Sequence, residues 1–211
     1  RNLTFLLWYY MIEVKFVGSF HPLGFFLILL VWSLLVIPPG WTQEIEVPAN
    51  VQFALLQKML AFDRNLKARA GEEIVIGILY QSNFRSSLNF KDELAAVVKK
   101  SEPDQLLNLP IRHVVIELVE NLNLAEQAAR HNLDIFYLAP VRAVDLKAIT
   151  AVSHSRKILT FTGVPAYVEG GLTAGVGTKG DAPRIIINLP AAKAEGIEFN
   201  AQLLKLAKIV E

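Results

Sequence analysis

The chain has no cysteine. That absence excludes disulfides, thiolate metal centres and cysteine nucleophiles together. It leaves the redox compartment open, because a cysteine-free protein suits either side of a membrane. Excess charge is lacking too. Lys and Arg number 21 against 20 Asp and Glu, so no basic field argues for nucleic acid. The four histidines, His21, His113, His131 and His154, show neither an H-x-x-x-H pair nor a companion carboxylate spacing, and no metal or other cofactor is expected. No G-x-S-x-G occurs, and Ser82, Ser86 and Ser87 share one polar stretch without an adjacent base. Catalysis therefore has no visible nucleophile, and an enzyme is not expected.

What the chain has in abundance is apolar sequence: 53% of its 211 residues. Much of it sits in the first forty. GFFLILLVWSLLVI, residues 24–37, has only Ser33 as a polar member. It is short for a membrane span, which needs about 20 residues, and suits the apolar region of a signal peptide. PPGWTQ follows as a breaker, and cleavage after Thr42 would leave Gly40 at the −3 position. The alternative is an uncleaved anchor; either way the remainder is exported. Residues 1–42 are thus expected to form a signal-peptide region, with 1–10 upstream of the true start if Met11 initiates. Removing them takes Arg1, Lys15 and Glu13 out of the count and leaves 19 basic and 19 acidic residues. A neutral exported domain suits a small-molecule ligand or a protein partner better than DNA.

From residue 43 the periodicities alternate. Val51, Leu55, Met59, Phe62 and Leu66 recur at helical spacing and predict one amphipathic helix closed by Gly71. EIVIGILY (73–80) reads as a strand buried on both faces, and Asn89 as the cap of the next helix. HVVIELV (113–119), LDIFYLAP (133–140) and KILTFTG (157–163) read as strands, separated by helices over 124–132 and 143–154. RIIIN (184–188) is another strand, and helix is expected from Ala191 and from Asn200 to the end. Strands alternating with helices predict one three-layer α/β domain over 43–211. Its mainly parallel sheet is flanked by helices and ends in a β-hairpin plus a helix.

Gly175, Gly177 and Gly180 form a G-x-G-x-x-G, the pattern of a dinucleotide loop. Such a loop must lead into a helix whose N-terminus meets the pyrophosphate. Here Asp181-Ala182-Pro183 leads into RIIIN, a strand. The expectation is a hairpin of 173–176 and 184–188 around the turn Thr178-Lys179-Gly180-Asp181.

In an open parallel sheet, ligands bind beyond the carboxyl ends of the strands. Gln81, Ser82, Asn121, Thr162 and Gly163 fall there, and Gly170 and Gly171 approach from a loop. These seven form a candidate ligand cleft, a layout that resembles one lobe of a periplasmic binding protein. Gln81, Ser82 and Asn121 are equally suited to capping turns and helix starts. Glu117 interrupts an apolar run, so it either faces solvent on an edge strand or meets Arg112 or Arg142. An edge there could pair with a partner or a second copy.

ILTFTG (158–163), the pair Gly170-Gly171, and IIINLPAAKAEGIEFNAQLLKLAKIV (185–210) occur in an order and spacing that resembles the YfiR/HmsC-like family of exported bacterial proteins. The first helix, VQFALLQKMLAFDRNLKAR, is similar to that family's opening as well. The resemblance implies a periplasmic, non-catalytic regulator of the cyclic-di-GMP kind. Its partner would be the periplasmic sensor domain of an inner-membrane signalling enzyme, such as a diguanylate cyclase or sensor kinase. Some relatives carry cysteine pairs that form disulfides, and this chain has none. A small-molecule binding module serving a transporter or receptor is the rival expectation; a homodimer and a small-molecule ligand are open to both.

Overall fold

The computed structural model describes residues 47–101 and 105–211; the expected signal-peptide region, residues 1–42, lies outside them. Helix α1 (Ala49–Leu60) stops early, and a separate short helix, α2 (Leu66–Ala70), follows. The single helix expected over this span is thus two. The break occurs at Asp63, which is buried and forms an antiparallel bridge with Phe199. Its carboxylate accepts from the Asn65 and Glu198 amides and pairs with Arg69 at 2.6 Å. A polar group so far inside needs these partners, and continuing the helix would forfeit them. The buried stripe is also displaced by one position from the expected one, running through Gln52, Phe53, Leu56, Met59 and Leu60.

Strand β1 (Ile74–Tyr80) leads into α3 (Arg85–Lys100), which begins four residues before the expected cap at Asn89. Phe84 occupies the cap position without a side-chain hydrogen bond. It is buried beneath Arg142, whose guanidinium lies 4.3 Å above its ring, so packing fixes this helix start. The chain continues through β2 (Gln105–Leu106), β3 (Leu109–Glu117), α4 (Leu124–His131), β4 (Ile135–Leu138), α5 (Leu146–Arg156) and β5 (Leu159–Thr162). Helix α6 (Pro165–Glu169), for which no helix is expected from the sequence, starts on a proline at N1, where the missing N–H is harmless.

The expected hairpin is present as β6 (Ala174–Lys179) and β7 (Ala182–Asn188), paired antiparallel. Its turn tightens to two residues, Gly180-Asp181, with Gly180 at φ +61°. That left-handed conformation is what the glycine supplies. Pro183 sits opposite Thr178 near the hairpin tip, clear of the next strand, which reaches only Ile186–Asn188. Helix α7 (Leu189–Ala194) is capped by Asn188, which accepts from the Ala191 amide at 3.0 Å.

After α8 (Ala201–Leu206) the chain does not remain helical to its end: β8 (Lys208–Val210) pairs parallel with β7. Leu206, in the last turn of α8, is 74% exposed, while Phe199 and Leu203 are buried. Ile209 and Val210 gain sheet partners that a longer helix would have denied them.

The eight strands run in the order β2-β3-β1-β4-β5-β6-β7-β8. The central run β3-β1-β4-β5-β6 is parallel, whereas β2 pairs antiparallel with β3. Strand β1 shows why three layers form. Ile74, Ile76 and Ile78 point into one core with α1, α3 and Leu203 of α8, and Val75 and Leu79 into a second with α4, α5 and Tyr167 of α6. Apolar side chains on both faces of a strand require helices on both sides.

Candidate functional site: the cleft at the switch point

From β1 the chain passes through α3 to β3 on one side, then through α4 to β4 on the other. The loops leaving β1, β3 and β4 therefore splay apart above β1. This is the switch point at which open α/β sheets present a crevice. A cleft of about 910 Å³ lies there, formed by those three loops and the first turns of α4 and α5. Its size is that of sites for small organic ligands.

The β1 loop supplies Gln81, whose amide clamps the backbone of Arg142. Gln81 Nε2 donates to the Arg142 carbonyl at 3.0 Å, and the Arg142 amide donates to Gln81 Oε1 at 2.7 Å. The Gln81 backbone is itself held by the buried Ser87 hydroxyl at 2.9 Å. Tyr167 of α6 grips the same β4 loop one residue earlier. Its hydroxyl accepts from the Val141 amide at 2.8 Å and donates to the Val141 carbonyl at 2.9 Å. Between these grips Ala143 adopts φ +52°, a strained conformation for a residue with a Cβ. The β4 loop is held in place rather than draped over the sheet.

The β3 loop supplies Glu117, which accepts a hydrogen bond from Ser82 Oγ. Glu117 is exposed at the end of β3, so the edge reading holds. Neither expected cation reaches it: Arg112 pairs with Glu73 at 2.9 Å, and Arg142 stacks on Phe84. Beyond it, Leu118, Val119 and Leu122 turn apolar surface to the cleft, and Ile149 and Val152 of α5 form the opposite wall. Asn123 and Asp145 cap α4 and α5 by accepting from the Glu126 and Lys147 amides at 3.1 and 2.9 Å. One N–H at each helix N-terminus is thus already bonded by a capping side chain.

Of the seven residues singled out in the sequence, Gln81 and Ser82 line this cleft. Asn121 lies in the β3 loop between the lining residues Glu120 and Leu122 without lining it, and the helix cap is Asn123 instead. Thr162 and Gly163 are buried. The Thr162 hydroxyl donates to the Leu138 carbonyl at 3.0 Å and accepts from the Val164 amide at 3.1 Å. A side chain at Gly163 would collide with the Gln52 amide. Gly170 ends α6, where a Cβ would meet Leu146 Cδ1 at 3.0 Å, and Gly171 takes φ +113°. None of these four lines the cleft.

Two carboxylates away from the cleft went unnoticed. Glu195 is fully buried, accepting from Ser153 Oγ at 2.7 Å, Thr160 Oγ1 at 2.8 Å, the Thr160 amide at 2.9 Å and Thr173 Oγ1. Burial pushes its carboxyl above the ordinary range, opposed by those hydrogen bonds. Asp134 precedes β4 and accepts from the Val75 amide at 2.8 Å. Burial raises it to about 6, against the pull of that hydrogen bond and of Arg69 and Arg112. A single Glu or Asp among alanines and apolar residues carries no sequence signal for either role. Among the described residues no group of three His, Asp or Glu could hold a metal ion.

The YfiR/HmsC-like family model matches residues 49–208, nearly all of the described domain. No curated protein gives a significant match. Among solved structures, the chain is similar to an ABC domain from Streptococcus pneumonia in complex with L-Trp. The TM-score is 0.55 at 17% identity, over 77% of this chain and 60% of that one. It is similarly related to a conserved domain protein from Vibrio cholerae, with TM-score 0.54, 15% identity and coverage of 78% and 60%. A ligand-free, open substrate binding protein with adhesive properties from Clostridium difficile gives 0.48 at 18% identity, over 70% and 57%. The chain spans about 60% of the length of the first two, and at these identities the likeness is one of fold.

Proposed function

We propose that this chain, which belongs to the YfiR/HmsC-like family, is a periplasmic regulator that binds the periplasmic sensor region of an inner-membrane signalling enzyme and holds it inactive. The enzyme is a diguanylate cyclase or a sensor kinase. The observation that carries this reading is the family match across 49–208. The fold supports it through an edge suited to protein contact. Strand β2 covers β3 only at Leu109 and Pro110, which leaves 111–117 without a strand on its outer side among the described residues. Val115 there is 41% exposed. An open strand edge is a template for pairing with another chain. A regulator that binds only the inactive conformation shifts the enzyme's equilibrium by its differential affinity. Deleting the gene in its native host tests this. Cyclic-di-GMP or kinase output should rise and return to baseline on complementation; unchanged output of both would contradict the reading.

The cleft favours a second reading, a small-molecule binding module serving a transporter or receptor. The two readings are compatible if ligand occupancy alters the β3 loop, because Glu117 belongs both to the cleft and to the free edge.

A further inference from the structure

The chemistry of the cleft selects a class of ligand, an inference that rests on the small-molecule reading above. Three carboxylates line it, Glu117, Glu120 and Asp145, against one guanidinium, Arg142. Arg142 is engaged with the Phe84 ring, and Asp145 is engaged in capping α5. Glu120 is exposed and takes part in no hydrogen bond or ion pair within the described residues. Among the described residues the Glu117 carboxylate is held by a neutral serine hydroxyl alone. Below these acids lie the apolar walls from Leu118, Val119, Leu122, Ile149 and Val152, with Val119 55% exposed.

We propose that the cleft binds a small amphipathic amine, with its apolar body between the β3 loop and α5 and its protonated nitrogen between Glu117 and Glu120. An anion would meet a net negative rim and two helix N-termini capped by Asn123 and Asp145. A cation gains two carboxylates at the exposed rim, both able to accept charge-assisted hydrogen bonds. The walls exclude water from the apolar part, which supplies the nonspecific share of the affinity. The grips of Gln81 and Tyr167 on the β4 loop keep the cleft open without ligand, so little ordering entropy is lost on binding.

Phenethylamine and 3-phenylpropionate test the proposal, because they share a ring and a two-carbon tether and differ in charge. Each is titrated calorimetrically into the purified 43–211 protein at one ionic strength. Phenethylamine should bind saturably and 3-phenylpropionate should not. Glu120→Gln should weaken phenethylamine about tenfold, and Ala148→Trp, which fills the cleft without altering its charge, should abolish binding. The proposal is overturned if Glu120→Gln or Ala148→Trp leaves the affinity unchanged, or if phenethylamine fails to saturate by about 10 mM. If 3-phenylpropionate alone binds and Ala148→Trp removes it, the cleft stands as a ligand site and the amine class fails.

Discussion

Asp134 and Glu195 sit where burial is the largest influence on ionisation. For Asp134 the folded carboxyl titrates near 6, against an ordinary value of 3.8. Between those pH values the folded chain retains a proton that the unfolded chain has lost, so stability falls as pH rises from about 4 to 6. Above 6 the cost of burying the charge is fully developed. The gap corresponds to about 3 kcal/mol, reduced to about 1–2 kcal/mol because the group is only partly enclosed. Asp134→Asn keeps an acceptor for the Val75 amide and removes the charge. Thermal denaturation should show the variant more stable at pH 7.5 by about 1–2 kcal/mol, with the gain gone by pH 4. Glu195→Ala should behave oppositely in sign. It leaves the Thr160 amide and three hydroxyls without their acceptor, and urea unfolding should register a loss of about 3 kcal/mol or more. A loss below about 1 kcal/mol would mean that water replaces the carboxylate.

At the scale of elements, the β4 loop is the part whose rigidity the account needs most. Gln81→Ala removes both hydrogen bonds to Arg142 and should leave the sheet intact. Amide exchange at Arg142 should accelerate at least tenfold, while amides of β4 keep their protection. Equal acceleration in both would show that the loop and sheet open together. This region also shows what the sequence made legible. Strands β1, β4 and β5 were evident because each is a short, largely apolar run buried on both faces, and the hairpin because proline and a strand follow Gly180 where a dinucleotide loop needs a helix. What escaped was decided by distant contacts. Helix α1 ends at Leu60 because the Asp63 carboxylate just beyond it bonds to the Glu198 amide, 135 positions away, and β8 exists because β7 offers an edge to Ile209. Thr162 and Gly163 lie outside the cleft for the same reason: the Thr162 hydroxyl is bonded to the Leu138 carbonyl, and Gly163 packs against Gln52 of α1. Gln81 and Ser82 lie at the cleft because polar residues directly after an apolar strand mark the strand's carboxyl end.

For the whole molecule, the central claim is that this domain acts by holding another protein. Strand β3 is the surface to perturb, since among the described residues no strand covers 111–117 on its outer side and Val115 is exposed. A lysine there blocks strand pairing as edge lysines do in other sheets. Val115→Lys should therefore leave the melting temperature unchanged and lower partner recovery by at least fivefold. The decisive measurement is periplasmic crosslinking in the native host, with a tagged copy captured and its adducts identified by mass spectrometry. The account predicts repeated recovery of a membrane cyclase or sensor kinase, diminished with Val115→Lys. Recovery of self-adducts or soluble cargo alone, unchanged by that substitution, would contradict it.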